Sequence, residues 1–143
     1  MKTLVIGAAI IDIIMKIKRL PKSGEDILCS ETVSAVGGCA YNVAGTLRGF
    51  GVDHDLFVPV GRGMYGDMIA GDLEKLGYQI LIREEESDNG YCLCLVEEDG
   101  ERTFITVKGA EGRFRPSWFE QLSQDAYDSI YVAGYQVCGT SGG

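Results

Sequence analysis

Short apolar runs that stop at glycine recur along the chain, and stretches of helical periodicity separate them. Residues 4–6 (LVI) end at Gly7, the pattern of a buried parallel strand. Residues 11–18 (IDIIMKIK) alternate in part and predict a half-exposed second strand. Residues 21–25 (PKSGE) form a turn cluster. Residues 29–36 (CSETVSAV) alternate small and polar positions, as an exposed strand does, and Gly37 and Gly38 then break the chain. Ala40, Val43, Ala44 and Leu47 follow helical spacing, and Gly49 and Gly51 close that helix. Residues 56–60 read as another buried strand, residues 61–66 (GRGMYG) as a glycine loop, and residues 67–76 as a helix ended by Gly77. Residues 79–83 predict a strand, and residues 83–88 (REEESD) a solvated acidic turn. Residues 91–97 and 102–108 are alternating runs joined by Glu98, Asp99 and Gly100, a strong hairpin signal. A short helix over 117–122 and a buried strand over 129–133 complete the pattern.

Strand and helix thus alternate, with a polar hairpin and two half-exposed strands inserted. The expected architecture is an α/β sheet carrying a small β layer, without repeats or linkers. At 143 residues, 45% apolar and 24% charged, the chain has the composition of one globular domain. Its 20 glycines exceed the usual share and sit between apolar runs, so they read as tight turns. The net charge is −8, and the acidic excess lies after Gly51. Phosphate-backbone contacts need Lys and Arg, so neither nucleic acid nor an anionic membrane is an expected partner. A small phosphorylated ligand held by backbone N–H groups stays open.

The cysteines number five (Cys29, Cys39, Cys92, Cys94, Cys138), with no C-x-x-C pair. Asp12 and Lys16 interrupt the first apolar stretch and no cleavage site follows, so it reads as a strand rather than a signal peptide. A cytoplasmic protein with reduced thiols is expected. After Tyr135 only QVCGTSGG remains, too short for a covering helix and a returning strand. The expectation is that this is a piece of a larger domain, or that a second chain completes it.

Several motifs carry two readings. GRGMYG matches G-x-G-x-x-G between a strand and a helix, the context of a dinucleotide turn, with acids about 20 residues on. The plainer reading is a tight strand–helix turn. Residues 139–143 (GTSGG) match G-x-S-x-G, yet the acid and histidine that should follow are absent, so a glycine-rich loop is preferred. Cys92 and Cys94 share one strand face. A zinc site there would need two more ligands, and no histidine is near, so apolar filler is preferred. His54, between Asp53 and Asp55, reads as a polar turn. Residues 33–51 are the most informative. Gly37 and Gly38 precede a small-residue helix start with Asn42 one turn in. Glycines permit close approach of a ligand, a helix N-terminus offers N–H donors, and an amide donates and accepts at once. The same pattern also describes a capped helix packed on a sheet. Asp12, just after the first strand, is either a turn residue or a carboxylate for two vicinal hydroxyls beyond a strand's carboxyl end.

Taken in order, these segments resemble the N-terminal half of the PfkB/ribokinase family of carbohydrate and nucleoside kinases. VIGAAIIDI resembles the first strand with its substrate-binding Asp, here Asp12. VGGCAYNVAGTLRGFG resembles the glycine-rich signature, with Gly37, Gly38 and Asn42 at substrate-contacting places. PVGRGMYGDMIAGDLEKLG resembles the family's Val-Gly-x-Asp-x-x-Gly turn and helix. DNGYCLCLVEEDGERTFITVKGAEG resembles two lid strands, and YDSIYVAGYQ a strand whose end adds a contact, here Gln136. The sequence departs where a lysine is common, at Cys39, and where Tyr41 replaces a small residue.

The resemblance implies a Rossmann-like α/β/α core with a β-sheet lid built near 13–18, 29–35, 91–97 and 102–108. It implies transfer of the γ-phosphoryl group of ATP, with Mg²⁺, to a hydroxymethyl of a sugar or, alternatively, a nucleoside. Asp12, Gly37, Gly38, Asn42 and Gln136 would grip the acceptor, and Cys92, Cys94 and Phe104 of the lid would cover it. The family's Gly-Ala-Gly-Asp motif, which carries the catalytic base and anion hole, does not occur in these residues, and neither do the nucleotide and cation sites. The sequence is therefore read as the substrate-binding half, inactive alone, with no metal site of its own. Lid sheets of the family often mediate dimers, so a homodimer or a dimerising binding module is also expected. The resemblance further reduces the weight of an NAD-binding reading.

Overall fold

The computed structural model describes residues 1–134. Gln136, Cys138 and the GTSGG motif lie outside the described residues.

Leu4, Val5 and Ile6 lie on β1 (Lys2–Ile6), the central strand of a three-stranded parallel sheet. β4 (Asp53–Phe57) and β9 (Ser129–Val132) flank it. Both faces of β1 are buried, which explains its unbroken apolar run. Val5 packs with Ala40, Ala44, Leu56, Ile69 and Leu73 beneath α1 (Cys39–Gly49) and α2 (Met64–Lys75). Leu4 and Ile6 face the other way, onto Phe57, Ile82 and the side chains of Phe114, Trp118 and Tyr127.

A second sheet of four strands has the order β3-β2-β7-β8, formed by β2 (Ile10–Lys16), β3 (Glu31–Gly37), β7 (Tyr91–Val96) and β8 (Arg102–Val107). β2 runs parallel to β7 and antiparallel to β3, and β7 runs antiparallel to β8. The hairpin turn over 97–100 closes through Gly100 N–H to Glu97 O (2.9 Å), with Gly100 at φ 88°. The four runs expected as a lid therefore make one sheet.

Several local expectations are corrected, among them the buried strand expected over 129–133, which forms as β9 but is exposed along its length. The run 56–60 is split at Val58, because Pro59 has no N–H to extend the ladder. Pro59 and Val60 form β5 (Pro59–Val60), which pairs instead with β6 (Ile82–Arg83), all that remains of the strand expected over 79–83. His54 sits on β4 rather than in a turn, with Nε2 at 2.6 Å from the Tyr78 hydroxyl. The helix expected over 117–122 is one turn, α3 (Pro116–Phe119). The acidic turn is only partly solvated: Glu84 is buried and meets Arg115 at 2.8 Å, and Asp88 turns inward.

Candidate acceptor site

Asp12 lies on β2, two residues into the lid sheet. Residues paired in register lie on the same sheet face. Asp12 pairs with Ala35 on β3 and with Cys92 on β7, and Cys92 pairs with Thr106 on β8. The next row on that face is Val33, Ile14, Cys94 and Phe104. The face thus presents one row with a single carboxylate, then an apolar row. Cys92 and Cys94 are buried, while Val33, Ile14 and Phe104 stay open to solvent. The Thr106 hydroxyl donates to Cys92 Sγ at 3.5 Å. Burial raises the Asp12 pKa above its ordinary value. An anion kept partly desolvated without a neutralising cation is costly unless something else pairs with it.

Gly37 ends β3 directly beside Asp12. A Cβ there would overlap Asp12 Oδ2, so only glycine lets the carboxylate occupy this position. Gly38 follows with φ 103°, a left-handed conformation suited to glycine, and its close approach to the Ala8 carbonyl leaves no space for a side chain. It is the N-cap of α1, where no side chain caps the helix, so N–H donors at the helix start are left for another partner. Asn42 sits on the first turn of α1, and its N–H donates to Gly38 O at 2.9 Å. Its side chain is exposed and lines an open cleft of about 460 Å³ with Tyr41, Thr46, Arg48 and Tyr78. Asp12 does not line that cleft.

The structure therefore brings Asp12, Gly37, Cys92, Cys94 and Phe104 to one face, with Gly38 at its border. Asn42 is one helical turn away and borders a different hollow. Tyr41 points at α2, where its hydroxyl donates to Asp72 Oδ2 at 2.5 Å. Burial and this hydrogen bond push the Tyr41 pKa up to about 12. The large residue at 41 is thus a tie between helices.

The glycine turn preceding α2 is closed to a dinucleotide. Asp88 Oδ1 accepts from Gly66 N–H at 2.6 Å and Oδ2 from Tyr65 N–H at 3.2 Å, so a carboxylate of the chain already occupies the helix start. Side chains on Gly61 or Gly66 would collide with backbone. The same turn offers no cradle for the phosphates of ATP, and no group of three or more His, Cys, Asp or Glu among the described residues is placed to hold a metal ion.

Asp88, Asn89, Thr106 and Glu111 were not singled out from sequence. Asn89 and Glu111 are buried polar residues. The available signal was a polar triplet, Asp88-Asn89-Gly90, immediately before an apolar strand.

A parallel α/β core, a four-stranded lid sheet and a carboxylate where β2 leaves that core define a ribokinase-type fold. The structure of ribokinase from Giardia lamblia superposes with a TM-score of 0.81 over 94% of this chain and 42% of that one, at 24% identity. The chain belongs to the pfkB family of carbohydrate kinases, whose family model matches residues 1–141. It is 39% identical over 139 residues to the uncharacterized sugar kinase YegV of Escherichia coli (strain K12), covering 97% of this chain and 43% of that protein. A structure of Arabidopsis thaliana ribokinase complexed with ribose and ATP aligns at 27% identity and TM-score 0.68, covering 87% of this chain and 40% of that one. The chain thus spans less than half the length of these relatives.

Proposed function

We propose that this chain is the acceptor-binding half of an ATP-dependent sugar kinase that phosphorylates a hydroxymethyl group. One observation carries the reading: a partly buried carboxylate, Asp12, with no partner among the described residues, lies against Gly37, where a Cβ would overlap it, on a sheet face whose next row is apolar. A carboxylate accepts hydrogen bonds from two neighbouring hydroxyls. Gly37 and Gly38 let a sugar approach the backbone, and Cys92, Cys94 and Phe104 exclude water over the ring, while Asn42, which borders a neighbouring hollow, is assigned a contact by the family pattern alone. Gln136 is assigned a further contact by the family pattern alone. Phosphoryl transfer depends mostly on alignment and electrostatics, so this grip is the chain's contribution. ATP with Mg²⁺ supplies the phosphoryl group in the whole enzyme. The described residues do not fit it, and no catalytic step is assigned to them.

A nucleoside is the alternative acceptor, favoured by the exposed Phe104 ring, on which a base can stack. Homodimerisation through the lid is a second reading. On β8, Ile105 and Val107 face away from Asp12 and remain exposed, and β3 and β8 are the sheet's edges. Cys29, Cys39, Cys92 and Cys94 are free thiols, in keeping with a cytoplasmic protein, and no described helix is long and apolar enough to cross a membrane.

The test is an assay with ATP, Mg²⁺ and a panel of pentoses, hexoses and nucleosides. The chain forms no phosphorylated product, but ligand-observed NMR detects millimolar binding to one class, lost in Asp12→Asn. Turnover by the chain, or full retention of binding in Asp12→Asn, contradicts the proposal. Light scattering reads the dimer separately.

A further inference from the structure

The chain crosses between core and lid at residues 7–9, 38, 88–90 and 108–109. Two of these crossings are tied together at Asn89, whose side chain is almost wholly buried, at 3% exposure. Its Oδ1 accepts from Gly61 N–H at 2.6 Å. Its Nδ2 donates to Pro59 O at 2.9 Å and to Ala9 O at 3.2 Å. The amide orientation follows from its partners, since an N–H can only donate and a carbonyl only accept. One planar group thus binds the start of β5, the glycine turn before α2, and the residue that leads into β2.

Asn89 is also where the lid ladder begins. The next residue, Gly90, accepts from Ile11 N–H at 3.3 Å, and the parallel pairs Ile11–Tyr91 and Asp12–Cys92 follow. Glu111 clamps the same level from the other side, accepting from Gly90 N–H at 2.8 Å and Gly109 N–H at 2.9 Å. A one-residue slip of a strand moves every side chain to the opposite face. For β2 against β7 that slip would take Asp12 off the face it shares with Cys92. Asparagine is the residue the position requires. Aspartate would set an anion against two carbonyls, and alanine would leave a buried N–H and two buried C=O groups short of a partner.

We infer that Asn89 is a positioning residue for the acceptor site: it fixes the register at which β2 and β7 leave the core and thereby holds the Asp12 carboxylate opposite Cys92. Its importance for function rests on the reading of Asp12 as the acceptor-binding group. The register claim stands on the hydrogen bonds alone.

The test is a pH titration of the Asp12 carboxyl carbon by NMR, with amide exchange, on the full chain. Four proteins are compared: wild type, Asn89→Ala, Asn89→Ser and the core control Ile69→Val. Cys92 is the titratable cross-strand neighbour of Asp12, so its Cβ shift is followed in parallel. Both Asn89 variants move the Asp12 midpoint down toward an ordinary aspartate and speed exchange in β2 and β7, while Val5 and Leu56 stay protected. Ile69→Val lowers the thermal midpoint and leaves Asp12 unmoved. An unchanged Asp12 midpoint in both Asn89 variants overturns the inference, as does an equal shift in Ile69→Val. Failure of both variants to give a folded spectrum also counts against it, because a register role leaves the core intact. No sugar is read here. An error in the acceptor assignment shows instead as sugar affinity retained in Asp12→Asn.

Discussion

The core sheet and the lid sheet are both built around a parallel pair, β1 with β4 and β2 with β7, yet they treat their side chains differently. β1 hides both faces: Val5 beneath the helices, Leu4 and Ile6 against Phe57 and the aromatic group. β2 hides one face, where Ile11 is fully buried. On the other it shows Asp12 and then Ile14, 37% exposed. A chain that can bury Phe57 completely but leaves Phe104 at 60% exposure has not run out of apolar surface. It keeps a largely exposed apolar row beside a carboxylate that no described residue pairs, the arrangement on which the proposed acceptor site rests.

The largest expected contrast is between those two phenylalanines. Phe57→Ala costs about 3–5 kcal/mol of stability, whereas Phe104→Ala shifts it by less than ~1 kcal/mol and weakens acceptor binding. Urea unfolding and ligand-observed NMR read the two quantities. Equal stability losses would erase the distinction between the sheets.

Glycines sharpen it next. Gly37→Ala places a methyl group on the Asp12 carboxylate. It obliges the carboxylate to swing aside, which is expected to cost about 0.5–1.5 kcal/mol and to weaken acceptor binding by at least about tenfold, the equivalent of ~1.4 kcal/mol. Gly45→Ala, inside α1 with no atom near the added Cβ, should instead stabilise by about 0.5–1 kcal/mol. A neutral Gly37→Ala would mean that β3 does not confine Asp12.

The pH dependence follows from Asp12, whose pKa burial raises. A carboxyl with a folded pKa above its unfolded value binds its proton more tightly when folded. Its contribution is therefore most favourable below the unfolded pKa and is lost as pH rises through the folded one. Asp12→Asn, which stays neutral, should match wild type in acid and become slightly more stable than wild type above that window, by a few tenths of a kcal/mol. Greater stability with loss of binding is the trade expected of a functional residue. Denaturation midpoints between pH 3 and 7 check the sign. The smallest effect belongs to the lid surface: removing the exposed Lys16–Glu31 pair, 2.7 Å apart, costs less than ~0.5 kcal/mol.

Much of this was legible in the chain. Glycine-stopped apolar runs marked β1 and β9, though β9 is exposed rather than buried, and alternation with Glu98-Asp99-Gly100 marked the hairpin of β7 and β8. The resemblance picked out Asp12, Gly37 and Gly38, and the register of the four strands explains why they meet. What stayed hidden depends on partners distant in sequence. Asn89 reads as a turn residue until Ala9 and Gly61 are seen to bond it, and Glu84 as a solvated acid until Arg115 covers it. Asp88 fills the helix start that the glycine motif advertised. The break at Pro59 was visible as a residue, but its consequence, a change of partner strand, needed the position of β6. Tyr41 looked like a change in the site and is a strut to Asp72.

The most direct measurement is a map of amide and methyl chemical-shift changes in the labelled chain as a neutral sugar is titrated to high millimolar concentration. The account predicts shifts confined to Asp12, Gly37, Gly38 and the Cys92, Cys94 and Phe104 face. Shifts centred on Arg48 and Tyr78, or no shifts with any sugar or nucleoside, would contradict it.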